Sequence, residues 1–145
     1  MSFQFPLATV LRVRGVVEEK EERMLQQINA EIAQSREMLE HIAAEIVELD
    51  ASRRTEVFKS RVGLNIHASY GRMNELKQNR KMFEDQLVKL EELRDRQIAI
   101  YEAARRNREV LTNMHDEKRT AYESGLARNE QKTIDDNFIA RRGRV

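Results

Sequence analysis

The residues best suited to hold a metal ion, His41, His67 and His115, are scattered along the 145-residue sequence. A metal site on a helix needs ligands three or four residues apart, because that spacing places two side chains on one face. None of the three histidines has a second histidine at that spacing, and the absence of cysteine excludes thiolate ligands and disulfide bonds. We therefore predict no metal ion and no other cofactor.

Arginine clusters are the next candidate chemistry, because guanidinium groups neutralise phosphates. Arg105, Arg106 and Arg108 form one cluster, and further arginines stand at positions 141, 142 and 144. Acidic residues at positions 102, 109, 116 and 117 interleave with the first cluster. We expect no nucleic-acid partner. An adaptor that binds nucleic acid or a membrane surface through the basic tail is kept as an alternative, which strong salt dependence of binding would favour.

Catalytic motifs are missing from the sequence. The five glycines are scattered, so they build neither a phosphate-binding loop nor a dinucleotide-binding pattern, and no nucleophile elbow is present. A pair of long helices would also offer no cavity that excludes water from a reaction. We predict that the protein is not an enzyme.

The dominant pattern is a heptad repeat from about residue 70 to residue 122, which predicts a coiled coil because it lasts for about seven heptads. Its positions are Met73, Leu76, Arg80, Phe83, Leu87, Leu90, Arg94, Gln97, Tyr101, Ala104, Arg108, Leu111, His115, Lys118 and Tyr122. Leu93, Ile100 and Met114 lie beside this seam and predict a buried stripe wider than a strict two-stranded one.

Charged residues within the two seams have different expected roles. Arg80, Arg94 and Arg108 share one heptad position, so we expect their aliphatic stems to cover the seam while their guanidinium groups reach carboxylates of the first helix. Alternatively, they mark where the helices loosen to receive a partner. The charged run at residues 18–23 interrupts the seam of the first helix, and we expect it to be a solvated face.

The composition is typical of long helices that each bury one stripe. Charged residues make up 35% of the chain and aromatic residues 6%, with one proline and no tryptophan. Residues 1–60 carry a net charge of −3 and residues 61–145 of +4, which favours the two halves lying side by side. Neither a signal peptide pattern nor a run of about 18 apolar residues is present, so we expect a soluble cytoplasmic protein.

Breaks in the periodicity predict two helices. Helix one is expected over about 6–60, starting at Pro6, and helix two over about 69–138, after a turn at about 61–69 that contains glycine and asparagine. Residues 139–145 are expected to form a disordered basic tail. A short break between long helices predicts an all-α fold, a long antiparallel two-helix coiled-coil hairpin that forms one domain of residues 1–145. An intermolecular bundle of the same helices is left open.

The unequal helix lengths predict an unpartnered end. At 1.5 Å per residue, helix one spans roughly 80 Å and helix two roughly 100 Å. Folded back from the turn, helix one ends opposite about residues 120 to 125. The stretch after Tyr122 then lacks an intramolecular partner, and because such a helix is marginal in water we expect it to fray or to bind another protein.

Two blocks of the sequence resemble the flagellar export protein FliJ family. The first is the opening Phe3-x-Phe5-x-Leu7-x-x-Val10-Leu11-x-x-Arg14. The second comprises Ala104-Arg105, Arg108-Glu109, Leu111, Lys118, Tyr122 and Glu130-Gln131-Lys132-x-x-Asp135-Asp136. The length, the glycine-containing break and the basic end agree as well, so the resemblance covers essentially the whole chain. Asp136, where the family often has glutamate, and Gly15 in the first helix are departures.

This resemblance implies a non-enzymatic component of the flagellar type III export apparatus, cytoplasmic and held at the inner face of the cell membrane only through its partners. FliJ-like proteins form a stalk at the centre of the hexameric export ATPase and promote its assembly and activity. They also couple it to the cytoplasmic domain of the export gate and escort export chaperones. A similar adaptor of a virulence type III secretion system is the alternative within this class.

The resemblance also implies two binding ends. The end with both termini is expected to enter the ATPase ring, and its candidate residues are Phe3, Phe5, Leu7, Leu11, Arg14, Glu130, Lys132, Asp135 and Asp136. The gate contact is expected on helix two near the turn, at Tyr70, Met73 and Leu76.

Overall fold

Two helices make up nearly all of the structure. The computed structural model of the chain describes residues 2–58 and 63–143, with all of their side chains except those of residues 56–58 and 63–66. Helix α1 runs over Ala8–Phe58 and helix α2 over Gly63–Arg142. The helices pack against each other antiparallel within one chain, and the described residues contain no strand. The predicted two-helix hairpin is thus confirmed.

Helix α1 starts at a turn formed by Pro6 and Leu7. The backbone N–H of Ala8 donates a hydrogen bond to the carbonyl oxygen of Phe5 (3.1 Å), and the N–H of Leu11 donates to that of Leu7 (2.9 Å). Proline suits this position, because its φ angle is already near the helical value and it has no N–H to leave unsatisfied. The helix therefore begins two residues later than the sequence predicts.

Helix α2 begins at Gly63 rather than near residue 69, so residues 63–69 of the predicted turn are helical, and Gly71 also lies inside the helix. Nothing lies within 4 Å of the place where a side chain on Gly71 would start. An isolated glycine costs a helix about 1 kcal/mol, which the burial of Met73 and Leu76 one turn later offsets. Tertiary packing therefore overrides the local break signals. The first two residues of the predicted turn, 61 and 62, lie outside the described residues.

At its other end, helix α2 continues to Arg142, through residues that the sequence predicts to be a disordered tail. Arg141 and Arg142 occupy the last turn. Cations are favourable there because the last carbonyl groups of a helix carry partial negative charge. The tail prediction is therefore wrong for residues 139–142.

The chain divides into two compact units, which we call the central unit (residues 21–100) and the terminal unit (residues 1–20 and 101–145). In the central unit, Ile28, Ile32 and Leu90 form a buried cluster with Leu87 packed against it. Ile42, Met73 and Leu76 are also buried, and Leu76 is only 2% exposed. Met73, Leu76, Leu87 and Leu90 occupy predicted heptad positions of helix two, which confirms the seam in this unit.

The buried stripe of the central unit is narrower than predicted. Leu93 is 44% exposed and Ile100 50% exposed. Both were expected beside the seam, but a single facing helix covers only the residues that point directly at it. The prediction of a widened stripe is wrong at these two positions.

A polar pair lies within the seam of the central unit. Gln97 is 4% exposed, and its side-chain nitrogen donates hydrogen bonds to the backbone carbonyl of Glu21 (3.1 Å) and to the Glu21 carboxylate. The expectation of a solvated charged run is therefore wrong at Glu21. The physical reason is spacing, because Glu21 stands four residues before Leu25 and seven before Ile28, so it keeps the heptad phase.

The terminal unit has a thinner core than the central one. Its buried hydrophobic residues are Phe5, Ala104 and Leu111. Glu18 also faces α2 rather than solvent, with a side chain that is only 15% exposed. The solvated-face prediction is therefore wrong at this position too.

Candidate partner-binding surfaces

Aromatic side chains of the N-terminal lead-in pack onto α2 in the terminal unit. The Phe5 ring, 8% exposed, meets the His115 ring nearly at a right angle, with centroids 5.2 Å apart. Phe3 lies 5.4 Å from His115 and 5.6 Å from Tyr122, measured between ring centroids. The Lys118 ammonium group is 5.8 Å from the centre of the Phe5 ring. Edge-to-face rings and a cation over a ring are favourable contacts, so these residues form a defined aromatic cluster.

This cluster determines where the N-terminal chain ends along α2. Phe3 lies against Tyr122, within the range that the helix lengths predict. Of the predicted ATPase-end residues, Phe5 is buried, and Phe3, Leu7, Leu11 and Arg14 are half-buried. The rings of Phe3 and Phe5 are thus used in packing against α2.

Polar contacts continue the packing of the terminal unit. A guanidinium nitrogen of Arg14 donates to the backbone carbonyl of Asn107 (2.9 Å). Arg108 donates twice to the Glu18 carboxylate, once from Nε and once from Nη2, the latter at 3.1 Å from Oε1. The hydrogen bonds from Arg108 lower the pKa of Glu18 below its ordinary value of 4.5, although partial burial opposes this effect. The same pair raises the pKa of Arg108.

The three arginines at the shared heptad position behave differently from one another. Arg108 reaches the carboxylate of Glu18 on α1, as predicted. Arg94 instead pairs with Asp95 (3.4 Å), and Arg80 lies 3.9 Å from Glu84, both on α2 itself. The predicted reach to the first helix is therefore confirmed for one arginine and wrong for two.

The last part of α2 forms an exposed surface. Every residue from 126 to 143 is exposed, and we call residues 126–142 the projecting segment. It carries the predicted residues Glu130, Lys132, Asp135 and Asp136, and also four exposed hydrophobic side chains, Leu126, Ile134, Phe138 and Ile139. Asp135 accepts a hydrogen bond from Gln131 (3.0 Å). Because an apolar and charged helix of this kind is marginal alone in water, the segment is suited to bind a partner.

The predicted gate-end residues separate into exposed and buried ones. Tyr70 is 52% exposed, and the guanidinium carbon of Arg53 lies 4.0 Å from its ring centre. Met73 and Leu76 are buried in the seam, where they hold α2 against α1. A partner that binds the intact hairpin therefore reaches Tyr70 but not the other two side chains.

The described residues show neither a metal site nor a membrane span. Among residues 2–58 and 63–143, no three or more histidine and acidic side chains are grouped in a way that would hold a metal ion. Neither helix, over its described length, has a stretch apolar enough to cross a membrane.

Sequence reasoning missed two polar residues of α1 that face α2, Glu18 and Glu21. A signal was present, because positions 11, 14, 18, 21, 25 and 28 keep the three-four spacing without interruption. The two glutamates were expected to face solvent because they are charged, although their spacing places them in the heptad repeat. Their partners Arg108 and Gln97 stand 90 and 76 residues away along the chain, and sequence reasoning did not pair them.

Comparison with known proteins agrees with this architecture. A family model described as "Flagellar FliJ protein" matches residues 3–144, nearly the whole chain. No curated protein and no solved structure gives a significant match. The chain thus belongs to the FliJ family, whose members are non-catalytic coiled-coil components of flagellar-type protein export.

Proposed function

We propose that this protein is the stalk of the flagellar export ATPase, with the terminal unit as the end that binds the ring. The observation that carries this proposal is the projecting segment. There the hairpin continues as a single helix, and its hydrophobic side chains Leu126, Ile134 and Phe138 are exposed. A single helix can enter a narrow central opening that a helix pair would fill, and its apolar and charged side chains supply contacts for the surrounding subunits.

The aromatic cluster supports the same proposal from the other side of the terminal unit. Phe3 and Phe5 hold the N-terminal lead-in against α2 next to the start of the projecting segment. They act by shaping and stiffening this end, while Glu130, Lys132, Asp135 and Asp136 provide charged contacts to the ring. Binding would then promote ring assembly and ATP hydrolysis in the neighbouring subunits.

The second proposed binding end is the region of α2 near the turn, which would contact the export gate. Exposed Tyr70, supported by Arg53, is the proposed contact to the cytoplasmic domain of the export gate. Met73 and Leu76 keep this part of α2 in place. Through these two ends the protein would couple the ATPase to the gate, in the cytoplasm at the inner face of the membrane.

We also propose a chaperone-escort role, which rests on membership of the FliJ family. Its measurement is co-sedimentation of the protein with export chaperones, free or loaded with an export substrate. Preference for the free chaperones supports escort, and equal or absent binding contradicts it.

The stalk proposal is tested with the cognate export ATPase, by following ATP hydrolysis and ring assembly in sedimentation with and without this protein. The informative variant carries Leu126→Gln, Ile134→Gln and Phe138→Gln, and the matched control carries Met82→Gln and Val88→Gln. All five side chains are exposed on α2, so neither variant disturbs the seam.

We expect stimulation and hexamer assembly with the unmodified and control proteins, and loss of both with the projecting-segment variant. Absence of stimulation by a fully helical protein would contradict the stalk proposal. In that case, salt-dependent binding to DNA or to anionic vesicles would favour the adaptor alternative.

A further inference from the structure

The first turns of α1 carry valines that the hairpin does not bury. Val10, Val13 and Val17 are 41%, 55% and 44% exposed. Valine is a poorer helix former than alanine or glutamine, and an exposed valine buries little apolar surface in return. Neither helix formation nor the seam therefore explains why these three positions are apolar.

The three valines share one side of α1. Their spacing of i, i+3 and i+7 places them in a row along the helix. Arg14 lies next to this row, on the side toward the seam, because position 14 belongs to the three-four spacing that faces α2. Leu11, which packs toward α2, lies roughly 100° around the helix from Val10. The valine row thus flanks the seam.

An equivalent row flanks the seam on α2. Asn107, Val110 and Met114 repeat the i, i+3, i+7 spacing, with Val110 55% exposed and Met114 half-buried. Each row stands one position before the seam residues of its own helix, and in an antiparallel pair such positions lie on the same side, so both rows flank the seam on one side of the terminal unit. We call this surface, made of Val10, Val13, Val17, Val110 and Met114, the valine face. Apolar residues contributed by two helices are what a third helix packs against.

The charges around the valine face identify the kind of helix that fits it. Four cations surround it: Arg14 and Lys20 on α1, and Arg106 and Lys118 on α2. Of the nearby acidic residues, Glu18 is paired with Arg108. Glu21, whose partner Gln97 is neutral, and Glu117 therefore stand against these four cations. Arg14 bonds to a neutral carbonyl and Lys118 lies near the Phe5 ring, so these contacts leave both charges uncompensated. If a second copy of the same face bound here, its cations would lie against these cations and repel them. A helix whose apolar stripe is flanked by acidic residues would instead place negative charges next to them.

We propose that the valine face binds an amphipathic helix of another protein, whose apolar stripe is flanked by aspartate or glutamate. The bound helix completes a three-helix arrangement with the first turns of α1 and residues 103–121 of α2. This interaction goes beyond the stalk function, because it uses a side of the terminal unit rather than the projecting segment, and it requires no ATPase.

The probe is a synthetic helical peptide about three heptads long, with leucine at the a and d positions and glutamate at the flanking positions. Its twin carries lysine in place of glutamate. Binding of each labelled peptide to the full chain is measured by fluorescence anisotropy, without ATPase. We expect the glutamate peptide to bind at least about tenfold more tightly than the lysine peptide, with affinity that falls as salt rises.

The informative variant is the double substitution Val13→Gln and Val17→Gln, which should weaken binding of the glutamate peptide about tenfold or more. The matched control is Val47→Gln with Val88→Gln, two valines of the central unit that are 70% and 54% exposed, and it should bind as the unmodified chain does. Since all four side chains are exposed, unchanged circular dichroism confirms that both variants fold.

Equal binding of the two peptides, or unchanged binding by the Val13→Gln, Val17→Gln variant, would overturn the proposal. Sedimentation gives a further decisive outcome. If the chain alone forms a dimer that this variant abolishes, the valine face belongs to a second copy and the assignment to an acidic helix is wrong. Because no ATPase is present, failure here leaves the stalk proposal untouched.

Discussion

Arg108 and Glu18 form a doubly hydrogen-bonded ion pair between α2 and α1, at heptad positions where aliphatic side chains are usual. The Glu18 side chain is 15% exposed and that of Arg108 30%, so the pair is partly withdrawn from water. A geometry with two hydrogen bonds fixes how the helices align along their axes, which an apolar seam alone specifies less strictly. We therefore attribute to this pair the register of the terminal unit.

The pair makes the stability of the protein depend on pH. Because the pKa of Glu18 is lowered in the folded state, its ionised form stabilises the fold above its ordinary pKa of 4.5, and this contribution is lost as the pH falls through the lower folded value. The Glu18→Gln variant should therefore melt at a lower temperature than the unmodified protein at pH 7. The difference should shrink below about pH 4.5 and then vanish.

Thermal melting followed by circular dichroism at a series of pH values checks this prediction. Glu92→Gln is the matched control, because Glu92 forms an exposed pair with Arg96 on α2, with side chains 64% and 72% exposed. The control should change the melting temperature little at any pH. A Glu18→Gln effect of the same size at pH 7 and at pH 3 would contradict the linkage.

Among the side chains that the structure describes, Leu76 is the most deeply buried, at 2% exposure, so its truncation should be costly. Leu76→Ala is expected to lower the free energy of unfolding by about 2–5 kcal/mol, measured by urea denaturation. Val88→Ala, at a position that is 54% exposed, should change it by less than about 0.5 kcal/mol. Similar losses in both variants would mean that the seam does not dominate stability.

Phe5 anchors the N-terminal lead-in on His115, so its removal should loosen one region rather than the whole molecule. Phe5→Ala should lower the free energy of local opening by about 3 kcal/mol, which corresponds to roughly a hundredfold faster amide hydrogen exchange in the first turns of α1. Phe138→Ala, at a ring that is 60% exposed, is the control and should leave that exchange unchanged. Uniform acceleration throughout α1 would argue against a local anchor.

Gly15 lies inside α1 with open space where a side chain would start. Alanine there removes the conformational disadvantage of glycine without creating a clash. Gly15→Ala should raise the free energy of unfolding by about 1 kcal/mol in urea denaturation. A decrease would reveal a need for glycine at this position, such as a local bend of α1.

Tyr70 is the exposed member of the proposed gate contact, and Tyr70→Ala should weaken binding of the cytoplasmic gate domain about tenfold or more, measured by isothermal titration calorimetry. Met82→Ala, at a side chain on α2 that is 55% exposed, is the control and should bind as the unmodified chain does. Equal affinities of the two variants would remove Tyr70 from the contact. Substitution of buried Met73 or Leu76 would be less informative, because it changes stability as well.

Much of the fold follows from spacing in the sequence. The heptad positions Met73, Leu76 and Leu90 are buried, and the lead-in ends opposite Tyr122 as the helix lengths require. The errors arise where local signals compete with packing. Gly63 predicted a turn but begins α2, and Leu93 predicted burial but remains exposed because one facing helix cannot cover it.

The candidate surfaces were predictable only in part. The unpartnered end of α2 and the apolar residues near the N-terminus are visible in the sequence, because length and hydrophobicity are properties of single segments. Whether a given side chain is exposed to a partner depends on the facing helix as well, and a single segment does not contain that information. Phe5 and Met73 were expected to bind partners, yet both are buried against the facing helix, whereas Val13 and Val17 are exposed.

By itself, the sequence determined that this protein consists of two long amphipathic helices and resembles the FliJ family, since a repeat of three and four residues makes an apolar stripe wherever it occurs. Only the tertiary structure decided that the two helices pair within one chain, that Glu18 pairs with Arg108 and Glu21 with Gln97, and that these glutamates belong to the seam. Such pairings join residues far apart in the chain. They depend on the alignment of α1 with α2, which single-helix periodicity does not contain.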